Sequence, residues 1–567
     1  MRLVQRLLKS PDLSVKNLLA PHPANVIDLS NITPERNRTD YFRTKLIVTI
    51  TGTRLKVRKL LRNKNNALYV IVTLFALWGL FGLTESPGPT LDEPEIADAA
   101  MSLAFDGHLA VKSAGPGADN ENAYLYQMPG HIIVLAAVYK VAGAGLLQGR
   151  LLSLSMACVA LLLIWRCGTF ISRRVALLST ALVAVDPLFS SRAREIRYDW
   201  LALVALLGTC YILLSALAEV RDSGSSVRVV RLFVSGLLAA IATSSHVLGV
   251  FFAGACVVLL LVGPAPQAWR RSRIQNAATF LAGFVLGISP LVLYILDHHE
   301  AFRDQFLVLV TEHRAHDASV VMWLHGEFDK YLLYYHLVPA LGVAVLCGWV
   351  MTFCYAKRSS DQGGRMERSV IVLAITMFML LTAASGHHPW HNFLVAPLLI
   401  IVAAVGFDHA LRSDKPGMRR LAYIVVILAL CNGLVSSWLG RSYSAVQSWN
   451  TRDVGQVAGD IDAVIPPNAS VYGDYRLLFH ARIRHWDYVA SYFALNIDTV
   501  ALGHKDFAYI VLSDMAPAPT WLNLQKYRMV AVIHGHKPFL KLPSLNGDNV
   551  PMCLTIYERT MNIGGST

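Results

Sequence analysis

The sequence predicts a polytopic α-helical membrane protein with an α/β domain at its C-terminal end. Of its 567 residues, 54% are hydrophobic and only 16% are charged, and the mean hydropathy is +0.44. A soluble protein of this length could not bury so much apolar surface, so a lipid bilayer must cover part of it. Apolar segments recur along the chain, and strand-like segments follow the last of them.

Eleven apolar segments of spanning or near-spanning length predict the transmembrane helices. They are 67–83, 150–170, 175–190, 200–219, 231–244, 247–263, 276–296, 331–354, 369–385, 392–408 and 420–438. A twelfth segment, 130–145, is shorter and contains His131 and Lys140. We predict an interfacial or re-entrant helix there, because this placement leaves nearly all strongly basic short loops in the cytoplasm, as the bias of Lys and Arg requires.

The chain is expected to have three parts. Residues 1–66 form a basic cytoplasmic arm, 67–440 form the transmembrane domain with 85–149 as its first external loop, and 441–567 form an extracytoplasmic α/β domain. The last part alternates strand-like runs, such as "ASVYGDY" and "FAYIVLSD", with helical or turn segments. The Ala- and Leu-rich spans favour a bacterial inner membrane. The net charge of +13 suits cytoplasmic loops, and no nucleic-acid partner is expected.

This topology gathers charged and histidine side chains from separate loops on the external face. They include Asp92 and Glu93 of "LDEPEIA", Arg192, Arg194, Arg197 and Asp199 of "SRAREIRYDW", His246, and the histidines of "GHHPWHN". A single polar residue in such a loop ordinarily has no special role, and arginines at span ends often only extend their charged groups to the membrane–water interface. Three arginines within six residues on the disfavoured side nevertheless indicate an anion site, most simply for a phosphate or diphosphate.

In their order along the chain, these segments resemble the polyprenyl-phosphate-sugar-dependent glycosyltransferases of the GT-C fold, in particular the protein O-mannosyltransferase and lipid A aminoarabinose transferase group. "LDEPEIADAAMSLAFDGHLAV" is similar to the acidic opening of that group's first external loop. "YLYQMPGHIIVLAAVYKVAG" is similar to its Pro-containing amphipathic segment, and "HHPWHNFLVAPLLIIVAA" to its late turn. The resemblance departs at Gln127-Met128, where Lys-Pro is common, and at Ser245-His246, where Lys is usual.

The resemblance implies a GT-C-like bundle and an inverting transfer of a sugar from a polyprenyl-phosphate donor to an acceptor hydroxyl. Because that hydroxyl must lose a proton, we predict Asp92 as the general base, Glu93 as a support or acceptor-binding residue, and Asp199 as the reserve base. The leaving phosphate needs fixed cations. The predicted donor-binding residues are Arg194, Arg197, Lys112, Tyr126, His246, His388 and His391.

Two other functions remain open, and neither the sugar nor the acceptor is identified. A transporter or flippase of a lipid-linked or anionic substrate would need ionisable groups near the bilayer midplane, and the predicted spans contain almost none. A scaffold would explain the C-terminal domain but not the gathering of charges. The histidines could form a divalent metal site, but their spacings match no standard ligand set. We therefore predict no metal ligands and no firmly implied cofactor, although a divalent metal stays open as an alternative; the lipid-phosphate sugar is the expected co-substrate, and membrane lipids are expected partners.

Overall fold

The structure, a computed structural model, describes most of the chain beyond its N-terminal arm. The described residues are 66–85, 88–90, 92–115, 123–218, 225–264, 272–307, 329, 335, 338–356, 362–384, 392–448, 454–491, 505–513, 518–519, 521–533 and 553–560. Residues Leu68–Thr567 form one compact unit. The predicted cytoplasmic arm lies almost wholly outside the described residues and stays a prediction.

Helices dominate the N-terminal two thirds, and every apolar segment predicted above overlaps one of them. The first are α1 (Asn66–Leu80), α2 (Asp92–Asp106), α3 (Gly130–Ala142), α4 (Leu146–Thr169), α5 (Arg173–Ala184), α6 (Pro187–Arg192) and α7 (Asp199–Ala218). They are followed by α8 (Ser225–Ser245), α9 (Gly249–Val262), α10 (Arg273–Asp297), α11 (Pro339–Ala356), α12 (Gln362–Ala384), α13 (Asn392–Arg412), α14 (Pro416–Gly433) and α15 (Gly440–Ser448). The twelfth segment, predicted as an interfacial or re-entrant helix, is α3.

Length and apolar composition together distinguish the candidate spans among these helices. Within the described residues, six stretches are long and apolar enough to cross a membrane: Leu146–Thr169, Asp199–Ala218, Arg228–Ser245, Arg273–Asp297, Asn392–Arg412 and Pro416–Val446. Shorter apolar helices, such as α1 with 15 residues, rise only about 22 Å and fall short of a hydrocarbon core of about 30 Å. The structure confirms the helical membrane fold, while the number of spans stays a prediction.

The predicted span 175–190 is broken in the structure. Helix α5 ends at Ala184, and the Asp186 side chain accepts hydrogen bonds from the backbone N–H groups of Leu188 (3.1 Å) and Phe189 (2.9 Å). Pro187 follows at the first position of α6. An Asp cap followed by Pro starts a new helix, because the Asp side chain accepts from free N–H groups of the first turn and Pro has no N–H to satisfy. The break turns the chain toward residues 193–198, which carry the predicted arginines.

Helix α2 begins with half of a capping box, because Glu93 bonds back to the Thr90 N–H while the Thr90 hydroxyl has no hydrogen-bond partner within the described residues. The Glu93 carboxylate accepts from the Thr90 N–H at 2.9 Å, and the Glu93 N–H donates to the Thr90 carbonyl at 3.2 Å. Pro94 lies in the first turn, where its missing N–H costs nothing. The acidic cluster therefore fixes the start of a helix and places Asp92 at the helix's positive end.

Aromatic side chains pack beneath the loop 193–198. The Trp200 ring meets Phe189 at 5.2 Å and Phe393 at 4.9 Å, both edge to face, and its indole N–H donates to the Arg192 carbonyl at 2.7 Å. These contacts join α6, α7 and α13, because edge-to-face pairs prefer one mutual orientation. The backbone that carries the arginines is therefore held by packing from below.

The C-terminal part contains a mixed sheet. Its described strands are β1 (Ser470–Gly473), β2 (Asp487–Ala490), β3 (Tyr509–Ser513), β4 (Tyr527–Ile533) and β5 (Leu554–Arg559), in the order β2-β1-β3-β5-β4. Strands β2, β1 and β3 are parallel, whereas β5 pairs antiparallel with both β3 and β4. This confirms the predicted α/β unit. Strand β2 was not among the predicted strand-like runs.

The first external loop and the sheet share one apolar core. Ile96 of α2, Leu135 of α3, Tyr472 of β1 and Val511 of β3 are all buried in it. An ion pair between Asp98 of α2 and Arg482 adds a polar link. The predicted division at residue 440 stays a prediction, but the structure shows that α2 packs on the sheet as well as on the bundle, so its position is fixed from two sides.

We expect labelling of introduced cysteines to follow the predicted topology. In intact cells, Asp414→Cys in the loop after α13 should resist a membrane-impermeant thiol reagent, whereas His108→Cys and Gln525→Cys should react. All three positions are exposed, so only the bilayer can protect one of them. Permeabilised cells, in which all three should react, and the parent protein without an added cysteine are the controls. Reaction at position 414 together with protection at position 525 would show that the protein has the opposite orientation to the predicted one.

Candidate functional site

Two predicted catalytic carboxylates are joined by one arginine. The Arg197 guanidinium contacts the Asp92 carboxylate through Nη1, and its Nε donates to Asp199 Oδ2 at 3.2 Å. The side chains of Arg197 and Asp199 are 5% and 6% exposed, whereas that of Asp92 is 33% exposed. We call these three residues the carboxylate–arginine bridge. Its one accessible carboxylate belongs to Asp92.

His246 extends the bridge from the end of α8. Its Nδ1 accepts from the Leu248 N–H at 3.2 Å, so the proton of the neutral ring lies on Nε2, which is 3.4 Å from Asp199 Oδ1. Burial lowers the pKa of His246, and Arg197 lowers it further, although the Asp199 carboxylate opposes both. The ring is therefore neutral at pH 7, and it orients Asp199 rather than adding a charge.

Glu93 is adjacent to Asp92 in sequence but has a different environment. Its fully buried carboxylate accepts two hydrogen bonds from Arg150, at 2.9 Å from Nε and 2.7 Å from Nη2. It also accepts from the Ile196 N–H at 2.8 Å and from the Thr90 N–H. Four bonds leave this carboxylate little capacity for an acceptor, so the contacts favour the predicted support role over acceptor binding.

Arg194 and Arg197 looked alike in the sequence, but their contacts differ. Arg194 is fully buried, donates through Nη2 to the carbonyl oxygens of Phe81 (2.7 Å) and Gly82, and lies 5.4 Å from the Trp78 ring. These contacts hold the chain that leaves α1. They favour an anchoring role for Arg194, whose predicted donor binding stays a prediction, whereas Arg197 is part of the bridge.

The other predicted donor-binding residues divide by position. Lys112 is about half exposed and pairs with Asp106 at 2.7 Å, at the far end of α2 and about 21 Å of helix rise from Asp92. The structure therefore does not bring Lys112 to the bridge. Tyr126 is half-buried and packs on the shared core near Tyr124. His388 and His391 lie outside the described residues.

Three buried polar residues were not among the predicted site residues. His131 is fully buried at the start of α3, close enough to Asp199 for an electrostatic interaction, and neither ring nitrogen has a hydrogen-bond partner within the described residues. Glu95 and Tyr124 are buried beside each other. The only sequence signal for Glu95 was its place in the acidic cluster; for the other two, nothing in the sequence foretold burial.

A metal site has no support in the part of the chain that the structure describes, where no three His, Cys, Asp or Glu side chains are grouped to hold an ion. The bridge itself offers a different chemistry. A partly exposed carboxylate at a helix N-terminus, backed by a buried guanidinium, stays ionised and can accept a proton. The same guanidinium can stabilise an arriving anion.

Comparisons with known proteins agree with the predicted fold class. Residues 127–294, less than a third of the chain, match the family model described as dolichyl-phosphate-mannose-protein mannosyltransferase. The match includes Arg197, Asp199 and His246 and excludes Asp92. A comparison with curated protein sequences gave no match.

Solved structures match over most of the chain. ArnT from Cupriavidus metallidurans bound to undecaprenyl phosphate has a TM-score of 0.61 at 13% identity, covering 89% of this chain and 100% of that one. Apo ArnT gives 0.58 at 15%, covering 88% and 99%. The archaeal oligosaccharyltransferase AglB from Archaeoglobus fulgidus gives 0.47 at 11%, covering 79% and 69%, too low to support an argument. At these identities the likeness to ArnT shows the fold alone, so the chain has a GT-C-like fold.

Proposed function

We propose that the protein is an integral membrane glycosyltransferase that moves a hexose or pentose from a polyprenyl-phosphate donor to an acceptor hydroxyl, with inversion at the anomeric carbon. The reaction takes place at the extracytoplasmic face of a bacterial inner membrane. The acceptor is a glycan, a lipid or a protein. Asp92 is the general base, and Arg197 is the cation nearest to it.

The observation that carries this proposal is the carboxylate–arginine bridge. It places the one accessible carboxylate of the group at the start of α2, against a buried arginine from the loop before α7. A base and a fixed cation within one contact are what transfer from a phosphate leaving group requires. ArnT, which shares the fold, has been solved with undecaprenyl phosphate bound, and this supports a polyprenyl-phosphate donor.

The proposed step is a single displacement. The acceptor oxygen forms a bond to the anomeric carbon while the bond from that carbon to the phosphate oxygen breaks on the opposite face. The acceptor proton passes to Asp92, and the electron pair leaves with the phosphate. Arg197 contacts Oδ2 of Asp92, so Oδ1 is the oxygen that takes the proton. As negative charge grows on the phosphate, the Arg197 guanidinium stabilises it.

The positions of buried charges argue against a transporter. In the long helices, the buried ionisable residues that the structure describes are near helix ends, such as Arg150 in α4, Asp199 in α7 and Asp408 in α13. Transport of an anion across the bilayer requires ionisable groups near the midplane. The same distribution suits a reaction at the membrane surface.

The proposal is tested directly with purified protein in lipid nanodiscs. A panel of polyprenyl-phosphate-linked hexoses and pentoses is supplied with an acceptor extract, and mass spectrometry follows free polyprenyl phosphate and acceptors that gain one sugar. Glycolipids and glycoproteins from cells with and without the protein identify the natural product. We expect one donor to be consumed only with active protein. Movement of intact donor across the bilayer without release of its phosphate would instead establish a flippase.

The two arginines should respond differently to substitution. Arg197→Ala should lower kcat/KM for the donor by about tenfold to a hundredfold, since it removes a charge-assisted contact of about 1.5–3 kcal/mol. Arg197→Lys should restore only part of the lost kcat/KM, because Lys keeps the charge but lacks the planar guanidinium. Arg194→Ala, the matched control, should instead lower the melting temperature and leave donor kinetics of the folded fraction nearly unchanged. Equal donor kinetics in Arg197→Ala and wild type would exclude Arg197 from donor use.

A further inference from the structure

Glu95 lies one turn after Asp92 on α2 and on the same side of the helix. Residues three apart on a helix are neighbours, with Cβ atoms about 5–6 Å apart. Glu95 is only 5% exposed. No cation within the described residues forms an ion pair with it, and Tyr124 is the one polar side chain that acts on it. Within the described residues, this buried carboxyl group beside the proposed base therefore has no charge partner.

The Tyr124 hydroxyl is also incompletely satisfied. Tyr124 is fully buried, its hydroxyl lies beside the Glu95 carboxyl, and it has no hydrogen-bond partner of full geometry within the described residues. Tyr126 and Tyr198 are close enough to act on it electrostatically. Such a buried hydroxyl is unfavourable unless something completes its bonding. A ligand hydroxyl inserted between Glu95 and Tyr124 would do so.

The protonation of Glu95 follows from its surroundings. Burial raises the pKa of Glu95 to about 7, and the neighbouring Tyr124 hydroxyl only partly opposes this. The elements packed on α2 carry other charged groups, which have other contacts: Lys112 pairs with Asp106, Arg482 with Asp98 and Arg150 with Glu93. Lys140 of α3 lies over the Phe105 ring, 5.6 Å from its centroid. His131 on α3 is near Asp199. Below pH 7 Glu95 is therefore largely a neutral acid that can donate a hydrogen bond.

We propose that Glu95 and Tyr124 form a neutral hydrogen-bonding pair that binds an uncharged hydroxyl of the transferred sugar, with Glu95 as donor. Because Asp92 and Glu95 lie one turn apart on the same side of α2, one sugar can contact both this pair and the Asp92 carboxylate. The inference rests on the proposed function and adds the class of sugar: one with a free hydroxyl, not a charged group, at this position.

The test measures kcat/KM for the donor between pH 5.5 and 9. In wild type the value should fall as pH rises through about 7, because ionised Glu95 no longer donates. Glu95→Gln, whose amide still donates, should lose less than about fivefold at pH 6 and should lack that fall. Glu95→Ala should lose about fivefold to a hundredfold at pH 6. Tyr124→Phe should move the fall to higher pH, because the hydroxyl stabilises the ionised form.

Binding separates this inference from the proposed function. Glu95→Ala should bind the polyprenyl-phosphate sugar more weakly and polyprenyl phosphate without sugar as well as wild type does. Melting temperatures report folding, and if Glu95→Ala does not fold, Glu95→Gln and Tyr124→Phe decide the matter. If Glu95→Gln is as impaired as Glu95→Ala, an ionised carboxylate is needed and the neutral pair is refuted. If wild type transfers no sugar from any donor, the proposed function itself fails.

Discussion

Asp92→Asn should fold like wild type and lose about a hundredfold to ten-thousandfold of its transfer rate, the usual effect of removing a general base. Asn keeps the size of Asp, but its amide cannot take a proton at neutral pH. The bridge should persist in part, because Arg197 still has Asp199 as a partner. Initial rates with saturating donor and acceptor measure the loss, and a melting curve checks the fold.

Binding of polyprenyl phosphate should survive in Asp92→Asn and tighten modestly, because a negative charge near the phosphate is gone. Asp106→Asn, on the same helix but at its far end, is the matched control and should transfer sugar normally. A wild-type rate in Asp92→Asn would show that Asp92 is not the base and would make Asp199→Asn the next variant. Full activity in both would leave the bridge a structural feature only.

The grouping of Asp92, Arg197, Asp199 and His246 could be anticipated from the sequence. Counting spans and placing basic loops on one side assigned all four residues to one face, although they come from three separate segments. The rule works because charge and hydropathy act over whole segments. The rule predicts at which end of the bundle a residue lies. It does not predict which neighbouring residue it contacts.

The sequence could not predict the contacts of individual side chains, because these depend on the direction and burial of each residue within a single turn. Asp92 and Glu93 are adjacent, yet a step of about 100° along a helix leaves one partly exposed and turns the other into the protein. Arg194 and Arg197 are both buried in the loop 193–198 and differ only in the groups they contact. Glu95 is buried beside Tyr124, which comes from a later segment, and no local pattern reports that contact.

Breaking the buried pair of Glu93 and Arg150 should have the largest effect on stability. Both side chains are fully buried, so Glu93→Gln leaves the Arg150 charge without its counter-charge in a dry site. Removing one partner of such a pair typically costs about 3–5 kcal/mol. We expect a large fall in melting temperature and in the yield of folded protein. The folded fraction should transfer sugar at a rate within a few fold of wild type.

Arg528→Ala is the matched control for this loss, because Arg528 also pairs with a glutamate, Glu558, but is 71% exposed. An exposed pair contributes about 0.2–1 kcal/mol, so its melting temperature should hardly change. If Glu93→Gln is equally stable and only its KM for the acceptor rises, Glu93 binds the acceptor and its four hydrogen bonds rearrange during the reaction. If stability falls while the KM for the acceptor is unchanged, the two acidic residues have separate roles: Glu93 fixes the start of the helix, and Asp92 acts as the base.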